Sequence, residues 1–227
     1  LKLGDGRAIT PDDTLAIKTL DLAGGGQDEA GKIRDITGLA AFSNLEELSL
    51  QSNRVSDISE LSALKKLKKL QLESNQISDL TPLQELDSLR KLEIAHNAIS
   101  DISPLYSLKR LELLDVIDNK ITSINGIGSM AKLHTLRLGR NKITDISPLA
   151  ELQDLTHLGF GYNEVKDISP LYDLPMLHVL TLNGNQVKDI TPVLYMRELH
   201  WLEVAGNPIE DPSIFDRLPE TVTHLEK

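Results

Sequence analysis

An asparagine recurs every 22 residues along most of this 227-residue chain. The recurring positions are Asn53, Asn75, Asn97, Asn119, Asn141, Asn163, Asn185 and Asn207. Leucine and isoleucine keep the same step, so that one unit reads L-x-x-L-x-L-x-x-N-x-I-x-D-I-x-P-L-x-x-L-x-x. A fixed period of roughly 20 to 50 residues is typical of repeat architectures, in which each unit buries its apolar side against its neighbours. The spacing therefore predicts a stack of coils rather than a conventional globular core.

The repeat divides the chain into three parts. Eight in-register units occupy residues 45–220, and an irregular unit with six additional residues between its strand and its turn precedes them. The prediction is nine repeats over residues 17–220, the first of them irregular. We interpret residues 1–16 as the remnant of an N-terminal cap, because Thr10 followed by Pro11 is typical of a helix start. We interpret residues 221–227 as the start of a C-terminal cap or of a further repeat.

Each part of the unit has a predicted local structure. The alternation L-x-L predicts a short β-strand whose two leucines both face inward. The asparagine side chain has two donor hydrogens and an acceptor oxygen, which can satisfy backbone groups where the chain leaves the strand. In the D-I-x-P-L segment, the aspartate is expected to cap a short helical turn, and the proline fixes φ in its first turn.

These motifs resemble the leucine-rich repeat family, and in particular its 22-residue class with D-I-x-P-L turns, which is found in bacterial internalin-like surface proteins. The resemblance covers nearly all of residues 17–218. It implies an α/β repeat fold: a leucine-rich-repeat solenoid with a parallel β-sheet on the concave face and short 3₁₀ turns on the convex face. It also implies protein recognition by the concave face and a location at the bacterial cell surface or outside the cell.

The composition argues against several functional classes. With 24 basic and 34 acidic residues the chain has a net charge of −10, which disfavours binding to nucleic acids or anionic membranes. The sequence contains no cysteine, and no apolar run approaches the roughly 18 residues of a membrane span. Residues 26–32 spell the phosphate-loop pattern G-x-x-x-x-G-K, but Ile33 stands where Ser or Thr would bind magnesium. We therefore predict a non-catalytic protein without a cofactor.

The histidines give only a weak indication of metal binding. His178 and His200 occupy the same position of adjacent units, which places their imidazoles near each other. A zinc site needs at least a third protein ligand, and no third ligand is evident in the sequence. We predict no metal site.

Candidate ligand-binding residues lie where side chains leave the strands on the concave face. In the first four units these positions are polar and carry both signs of charge, whereas apolar and aromatic side chains appear from the fifth unit onward. Gly139, Gly159 and Gly161 lie among them and leave a dip without side chains. Exposed apolar patches with Trp, Tyr and Arg are typical of protein interfaces. The predicted site residues for a protein ligand are Leu113, Ile117, Arg137, Arg140, His157, Tyr162, Val179 and Trp201.

The sequence leaves several alternatives open. Trp201 can cover the end of the solenoid instead of contacting a ligand. The chain can be a structural spacer in a larger surface protein or enzyme, or an intracellular scaffold of the phosphatase-regulator type. The net charge of −10 favours a ligand with basic surface, whereas a local positive rim suits a carboxylate-rich or sulfated partner. That rim consists of Arg137, Arg140, Lys120 and Lys142. We expect a monomer.

Overall fold

The strands stack in chain order into one open parallel sheet. The computed structural model describes residues 10–26, 28 and 30–227, and in that part of the chain the sheet has ten strands. They are β1 (Thr19–Asp21), β2 (Glu47–Ser49), β3 (Lys69–Gln71), β4 (Lys91–Glu93), β5 (Leu113–Asp115), β6 (Thr135–Arg137), β7 (His157–Gly159), β8 (Val179–Thr181), β9 (Trp201–Glu203) and β10 (His224–Glu226). From β2 to β9 the paired residues are 22 apart, as Leu114 and Leu136 are. Equivalent positions of successive units therefore form straight columns across the concave face.

Short 3₁₀ turns form the opposite, convex side. Those in the described residues are Leu39–Ala41, Ser59–Ala63, Thr81–Leu83, Ser103–Ser107, Ile127–Ser129, Ser147–Glu151, Ser169–Leu171, Thr191–Tyr195 and Pro212–Arg217. In six of these turns the aspartate of the D-I-x-P-L segment precedes the N-cap by one residue, whereas Asp211 is itself the N-cap of Pro212–Arg217. In the unit of β6, for example, Asp145 Oδ1 accepts the Ser147 amide at 2.8 Å while Ile146 is the N-cap. These six aspartates therefore close a turn just before the cap, and Asp211 takes the capping position that the sequence predicts.

A short helix, α1 (Pro11–Ala16), precedes the first strand. The Thr10 side chain accepts the Asp13 amide at 3.4 Å, and the Asp13 carboxylate accepts the Thr10 amide at 2.8 Å. This reciprocal pair is a capping box, and it confirms the predicted helix start. Residues 1–9 of the expected cap, and positions 27 and 29 of the phosphate-loop-like segment, lie outside the described residues. Across the residues described, no helix is long and apolar enough to cross a membrane.

The leucine columns form one continuous core between the sheet and the turns. Leu72 of the unit of β3 and Leu138 of the unit of β6 are both completely buried. Phe160 takes the equivalent place in the unit of β7 and is also completely buried. Because each coil buries the same set of positions, the interior scarcely changes along the solenoid, and the differences between units lie on its surface.

The recurring asparagine joins each coil to the one before it. The Nδ2 of Asn141 donates to the carbonyls of Leu138 and Gly139 in its own coil, at 2.9 and 3.2 Å. It also donates to the carbonyl of Val116 in the preceding coil, and its Oδ1 accepts the amide of Ile121, both at 3.0 Å. Asn141 is buried, so these bonds satisfy backbone groups that would otherwise lie unpaired in the interior. The predicted role of the asparagine column is thereby confirmed.

The residue before each of these asparagines has a left-handed backbone conformation. In the described part of the chain, the non-glycine residues with positive φ are Ser52, Ser74, His96, Asp118, Arg140 and Tyr162, with φ between 54° and 58°. Gly184 and Gly206 continue the column with φ of 65° and 72°. This conformation costs a non-glycine residue about 1–2 kcal/mol. This conformation was not predictable from the residue types, because the column holds small, charged and aromatic residues in turn.

Candidate ligand-binding site on the concave face

The outward-facing columns of the sheet change character along the solenoid. In the first column, β2 to β4 carry Glu47, Lys69 and Lys91, which the strand register places side by side. In the same column, β7 to β9 carry His157, Val179 and Trp201. The predicted contrast between a polar first half and a more apolar second half is therefore present on one continuous surface.

A cavity of about 330 Å³ opens on the concave side at β6, β7 and β8. Six of the eight predicted site residues line it, namely Ile117, Arg137, Arg140, His157, Tyr162 and Val179. The remaining lining residues are Gly139, Leu158, Gly159, Gly161, Thr181 and Asn183. Ile117 and Val179 supply apolar side chains, and the glycines expose backbone where other units carry side chains. We refer to this cavity as the concave pocket.

Missing side chains, not a special backbone conformation, account for the depth of the concave pocket. Gly139, Gly159 and Gly161 all have φ outside the left-handed region. A Cβ at Gly159 would lie 2.8 Å from Thr181 Oγ1, and one at Gly161 would lie 2.4 Å from Asn183 Oδ1. At Gly139 the nearest atom to a Cβ would be the Gly161 carbonyl oxygen, at 3.3 Å. Thr181 of β8 and Asn183 of its following loop thus lean over Gly159 and Gly161 and leave no room for larger residues there, whereas a Cβ at Gly139 meets only moderate crowding.

Arg137 stands at the rim of the concave pocket and is positioned by Asp115 of the neighbouring strand. Its Nη1 donates to Asp115 Oδ2 at 3.1 Å. The Asp115 side chain is only 12% exposed, and its Oδ1 also accepts the Ile117 amide at 3.1 Å. The Arg137 side chain remains 49% exposed. Because a guanidinium has five N–H donors in a planar fork, Arg137 can bind a ligand without releasing Asp115.

Arg140 and Tyr162 form a second part of the rim. The guanidinium carbon of Arg140 lies 4.6 Å from the centroid of the Tyr162 ring, which is a cation–π contact. The Tyr162 ring in turn lies against Gly184, where an added Cβ would be 2.7 Å from Tyr162 Cδ1. These three residues belong to the left-handed column. Tyr162 stays 52% exposed, so the stack presents both an aromatic face and a cation to solvent.

His157 contributes a neutral imidazole to the same pocket. Partial burial lowers the pKa of His157, and the positive charges of His178 and Arg137 lower it further. Its Nδ1 lies 2.9 Å from Thr156 Oγ1, within hydrogen-bond distance. At neutral pH the net positive charge of the pocket rim therefore comes from the two arginines.

Leu113 and Trp201 lie outside the lining of the concave pocket. The Trp201 ring stacks on His224 of β10, with centroids 3.4 Å apart and planes 15° apart. Its Nε1 donates to Glu203 Oε1 at 2.7 Å. These contacts accord with the alternative that Trp201 covers the last strands of the solenoid, although 40% of the residue remains exposed.

Residue types that can bind metal ions come together at two places in the described part of the chain. His178 and His200 stack with centroids 5.6 Å apart, as expected from their equivalent positions. Glu203, His224 and Glu226 each offer a ligand atom within 4.8 Å of the others. Glu203 is already bound by the indole of Trp201, and the His224 ring is stacked on that indole. Glu203 and His224 of the second cluster therefore take part in the packing of β9 against β10.

The first half of the concave face has an acidic centre. Burial raises the pKa of Glu73, and the nearby charges of Glu93 and Asp115 raise it further. In the described part of the chain, Glu73 Oε2 is buried without a hydrogen-bond partner. This half therefore presents like charges close together.

The sequence analysis missed a pair of exposed aromatic residues on the convex side. Tyr172 and Tyr195 are about half exposed, and their ring centroids lie 4.5 Å apart. A depression of about 670 Å³ beside them is also lined by Asp173, Arg197 and Glu198. The tyrosines are 23 residues apart, one more than the repeat, so a comparison of columns does not bring them together.

The comparisons with known proteins agree with the architecture. Residues 43–85, 87–129 and 109–151 match the family model of leucine-rich repeats in two copies. Together with the parallel sheet and the convex 3₁₀ turns, these matches define a leucine-rich repeat solenoid, which is the fold of a protein–protein interaction module. No sequence matches among curated proteins.

Two solved structures narrow the class. An internalin (inlF) from Listeria monocytogenes is 31% identical, with a TM-score of 0.83 over 99% of this chain and 71% of that chain. Internalin C2 (inlC2) from the same organism is 32% identical, with a TM-score of 0.78 over 82% of each chain. The chain belongs to the internalin-like leucine-rich repeat proteins. The resemblance inferred from the repeat unit and the predicted fold class are both confirmed.

A more distant structure shares the fold alone. The leucine-rich repeat ectodomain of a plant membrane receptor kinase from Arabidopsis thaliana is 23% identical, with a TM-score of 0.77. The match covers 90% of this chain and 26% of that chain. That structure holds the ectodomain in complex with Casparian strip integrity factor 2.

Proposed function

We propose that this chain is a non-catalytic recognition module of a bacterial surface or secreted protein, and that it binds a protein ligand on the concave face of β5 to β9. The observation that carries the proposal is the concave pocket, in which six separately predicted residues meet over a floor of glycine and apolar side chains. Arginine and tyrosine are enriched at the energetically dominant positions of protein interfaces, where the contact excludes water. Leu113 and Trp201 mark the two ends of the proposed surface.

The dimensions of this surface suit a protein ligand. Neighbouring strands are roughly 4.8 Å apart, so Leu113 and Trp201, four strands apart, are separated by roughly 19 Å. A standard protein interface buries about 800 Å² on each partner, so a ligand of that class would contact several neighbouring strands at once. A small-molecule site would instead enclose its ligand almost completely.

The mechanism is rigid presentation. Asp115 holds Arg137, and Tyr162 is held between Arg140 and Gly184, so the rim side chains are ordered before a ligand arrives. An interface whose side chains are already ordered loses less conformational entropy on association, which favours affinity. The backbone below them is fixed by the asparagine column and the buried leucines.

A paired capture experiment tests the proposal. The wild-type chain, the site variant Tyr162→Ala/Val179→Ala and the control Lys69→Ala/Lys91→Ala are each immobilised. They are exposed to a eukaryotic cell-surface extract and, separately, to a bacterial envelope extract. We expect a protein that the wild type and the control capture equally and that the site variant binds at least about tenfold more weakly, the scale of a hot-spot loss.

The other outcomes are equally informative. A protein captured equally by all three chains places the binding surface elsewhere on the solenoid and contradicts the proposal. A protein lost only with the control places it on the first half of the concave face. Failure of every chain to capture a specific protein supports a structural spacer instead.

A further inference from the structure

The rim of the concave pocket is positively charged in a strongly acidic protein. Two guanidinium groups and one imidazole line the pocket, and its lining contains no carboxylate. The chain as a whole has a net charge of −10. The charge that a ligand meets at this pocket is therefore opposite in sign to the charge of the whole molecule.

Local charges dominate at this site because salt screens distant ones. Exposed charges separated by more than about 8 Å are largely screened at physiological ionic strength. Glu93 lies on β4, two strands away from Arg137 on β6, which is roughly 10 Å. Asp115 is close, but it is nearly buried and already shared between Arg137 and a backbone amide. The acidic first half therefore does little to repel an anion from the pocket.

The two arginines present donors suited to a carboxylate. Arg137 uses Nη1 for Asp115, which leaves the rest of its planar fork for a bidentate partner. Arg140 stacks on the Tyr162 ring, and a guanidinium in that position keeps its N–H groups directed outward in its own plane. Arginine is favoured over lysine wherever carboxylates are bound in this way.

The floor of the pocket determines which ligand side chain can lie next to that carboxylate. Ile117 and Val179 are apolar, the glycines beside them offer backbone, and Thr181 and Asn183 bring polar side chains to the lining. The apolar part of the floor suits an aliphatic or aromatic side chain. A volume of about 330 Å³ has room for one or two side chains.

We propose that the concave pocket recognises an acidic segment of its protein partner, in which an apolar side chain packs on the floor and an adjacent aspartate or glutamate binds Arg137 and Arg140. This inference rests on the proposed function and specifies the chemistry of the ligand at the same site. It also decides between the two ligand charges that the sequence left open.

A peptide selection provides the test. A phage library of random dodecapeptides is selected on the wild-type chain, and enriched peptides are synthesised with a fluorescent label for anisotropy titrations. We expect enriched sequences in which an acidic residue adjoins an apolar one. Changing that residue to its amide, Asp→Asn or Glu→Gln in the peptide, should weaken binding at least tenfold while leaving the protein untouched.

Variants of the protein locate the effect. Arg137→Gln/Arg140→Gln should weaken binding of the acidic peptides at least tenfold. The control Lys69→Gln/Lys91→Gln removes the same charge from the same face and should change binding less than threefold. Arg140→Gln alone is included because it leaves the Asp115 pair intact, so a folding defect in the double variant cannot explain the result. Gly139→Leu, where a Cβ meets only moderate crowding, fills the pocket and should also abolish binding.

The results separate the two proposals. Peptides that are lost with Gly139→Leu but lack acidic residues, or that bind the arginine variants normally, overturn the acidic inference and leave the proposed function standing. Peptides that ignore Gly139→Leu, or a selection that enriches none, count against both proposals. If acidic peptides fail while heparin binds in an arginine-dependent manner, the ligand is a sulfated glycan and the acidic-segment proposal is wrong.

Discussion

The two halves of the concave face share one scaffold and differ only in what stands on it. Between β2 and β4, and again between β6 and β8, the strands pair in the same register over the same buried leucines. The first half places Lys69 and Lys91 side by side and crowds Glu73 against other carboxylates. The second half replaces such residues with glycine and apolar side chains. Stability is thus a property of the columns facing inward, and the proposed recognition depends on the columns facing outward.

This separation is testable first in the core, where the largest effects are expected. Leu72→Ala and Leu138→Ala each remove a completely buried side chain from equivalent places in the two halves. Each should cost about 2–5 kcal/mol, and the two costs should agree within about 1 kcal/mol because the surrounding packing repeats. Chemical denaturation followed by circular dichroism measures both. A large difference between the halves would contradict a uniform scaffold.

The asparagine column extends the comparison to polar contacts. Asn75→Ala and Asn141→Ala each leave backbone groups of two coils without their partner, and each should cost about 1–3 kcal/mol. The cost should be somewhat larger at Asn141, which is buried, than at Asn75, which is partly exposed. Thermal melts of both variants test this. Asn125→Ala, at an exposed position outside the column, should stay within about 0.5 kcal/mol of wild type.

Substitutions in the left-handed column, which consists of the residues that precede the asparagines, separate effects on stability from effects on binding. Tyr162→Gly relieves a strained conformation but loses the contacts of the ring with Arg140 and Gly184, so the unfolding free energy should change by less than about 1 kcal/mol. Ser52→Gly, in the same column of the first half, should change it by a similarly small amount. Binding of the peptides selected on the concave pocket should fall only with Tyr162→Gly. If Ser52→Gly weakens binding equally, the pocket is not the binding site.

The smallest expected effects are in the titration of two partly buried groups, one from each half. The pKa of His157 is lowered by burial and nearby positive charge, so its NMR titration midpoint should lie below its ordinary value of 6.5. The unfolded state then binds a proton more readily than the folded state, and stability decreases as pH falls below about 6.5. His157→Gln should remove part of that decrease in pH-dependent unfolding measurements.

Glu73 has the opposite dependence. Burial raises its pKa, so the unfolded state ionises first and stability decreases as pH rises above the ordinary glutamate value of 4.5. Glu73→Gln should therefore stabilise the protein at neutral pH, and this advantage should disappear as the pH falls below 4.5. An advantage that persists in acid would show that its cause is not ionisation.

Much of this structure follows from the sequence because, in a regular repeat, the spacing between two residues determines their relative position in the solenoid. Once Leu114 and Leu136 are known to be paired, the residues on either side of them fall into columns without further information. The convergence of Arg137, His157 and Tyr162 on one cavity was predictable for that reason. The turn that contains Asp145 was likewise predictable from the sequence. Asp145, which accepts its side-chain hydrogen bond, lies one residue before the N-cap.

What the sequence did not predict depends on side-chain directions or on departures from the repeat. The support that Asp115 gives Arg137 requires rotamers that spacing alone does not fix. The stacking of Trp201 on His224 occurs where the strand-to-strand step becomes 23 residues, outside the regular units. The left-handed conformation before each asparagine arises from the turn itself, since residues as different as Ser52 and Tyr162 adopt it.

The asparagine bonds have a consequence for how such a protein changes over generations. Those of Asn141 extend no farther than the adjacent coil, so removal or duplication of a whole 22-residue unit leaves each remaining bond with an equivalent partner. Unequal crossing-over between repeats in the gene is therefore structurally tolerable. An insertion between β4 and β5 would carry the pocket along intact, whereas one between β6 and β7 would separate Arg137 from His157. The number of units can thus vary between generations, while selection acts on the position at which units are gained or lost.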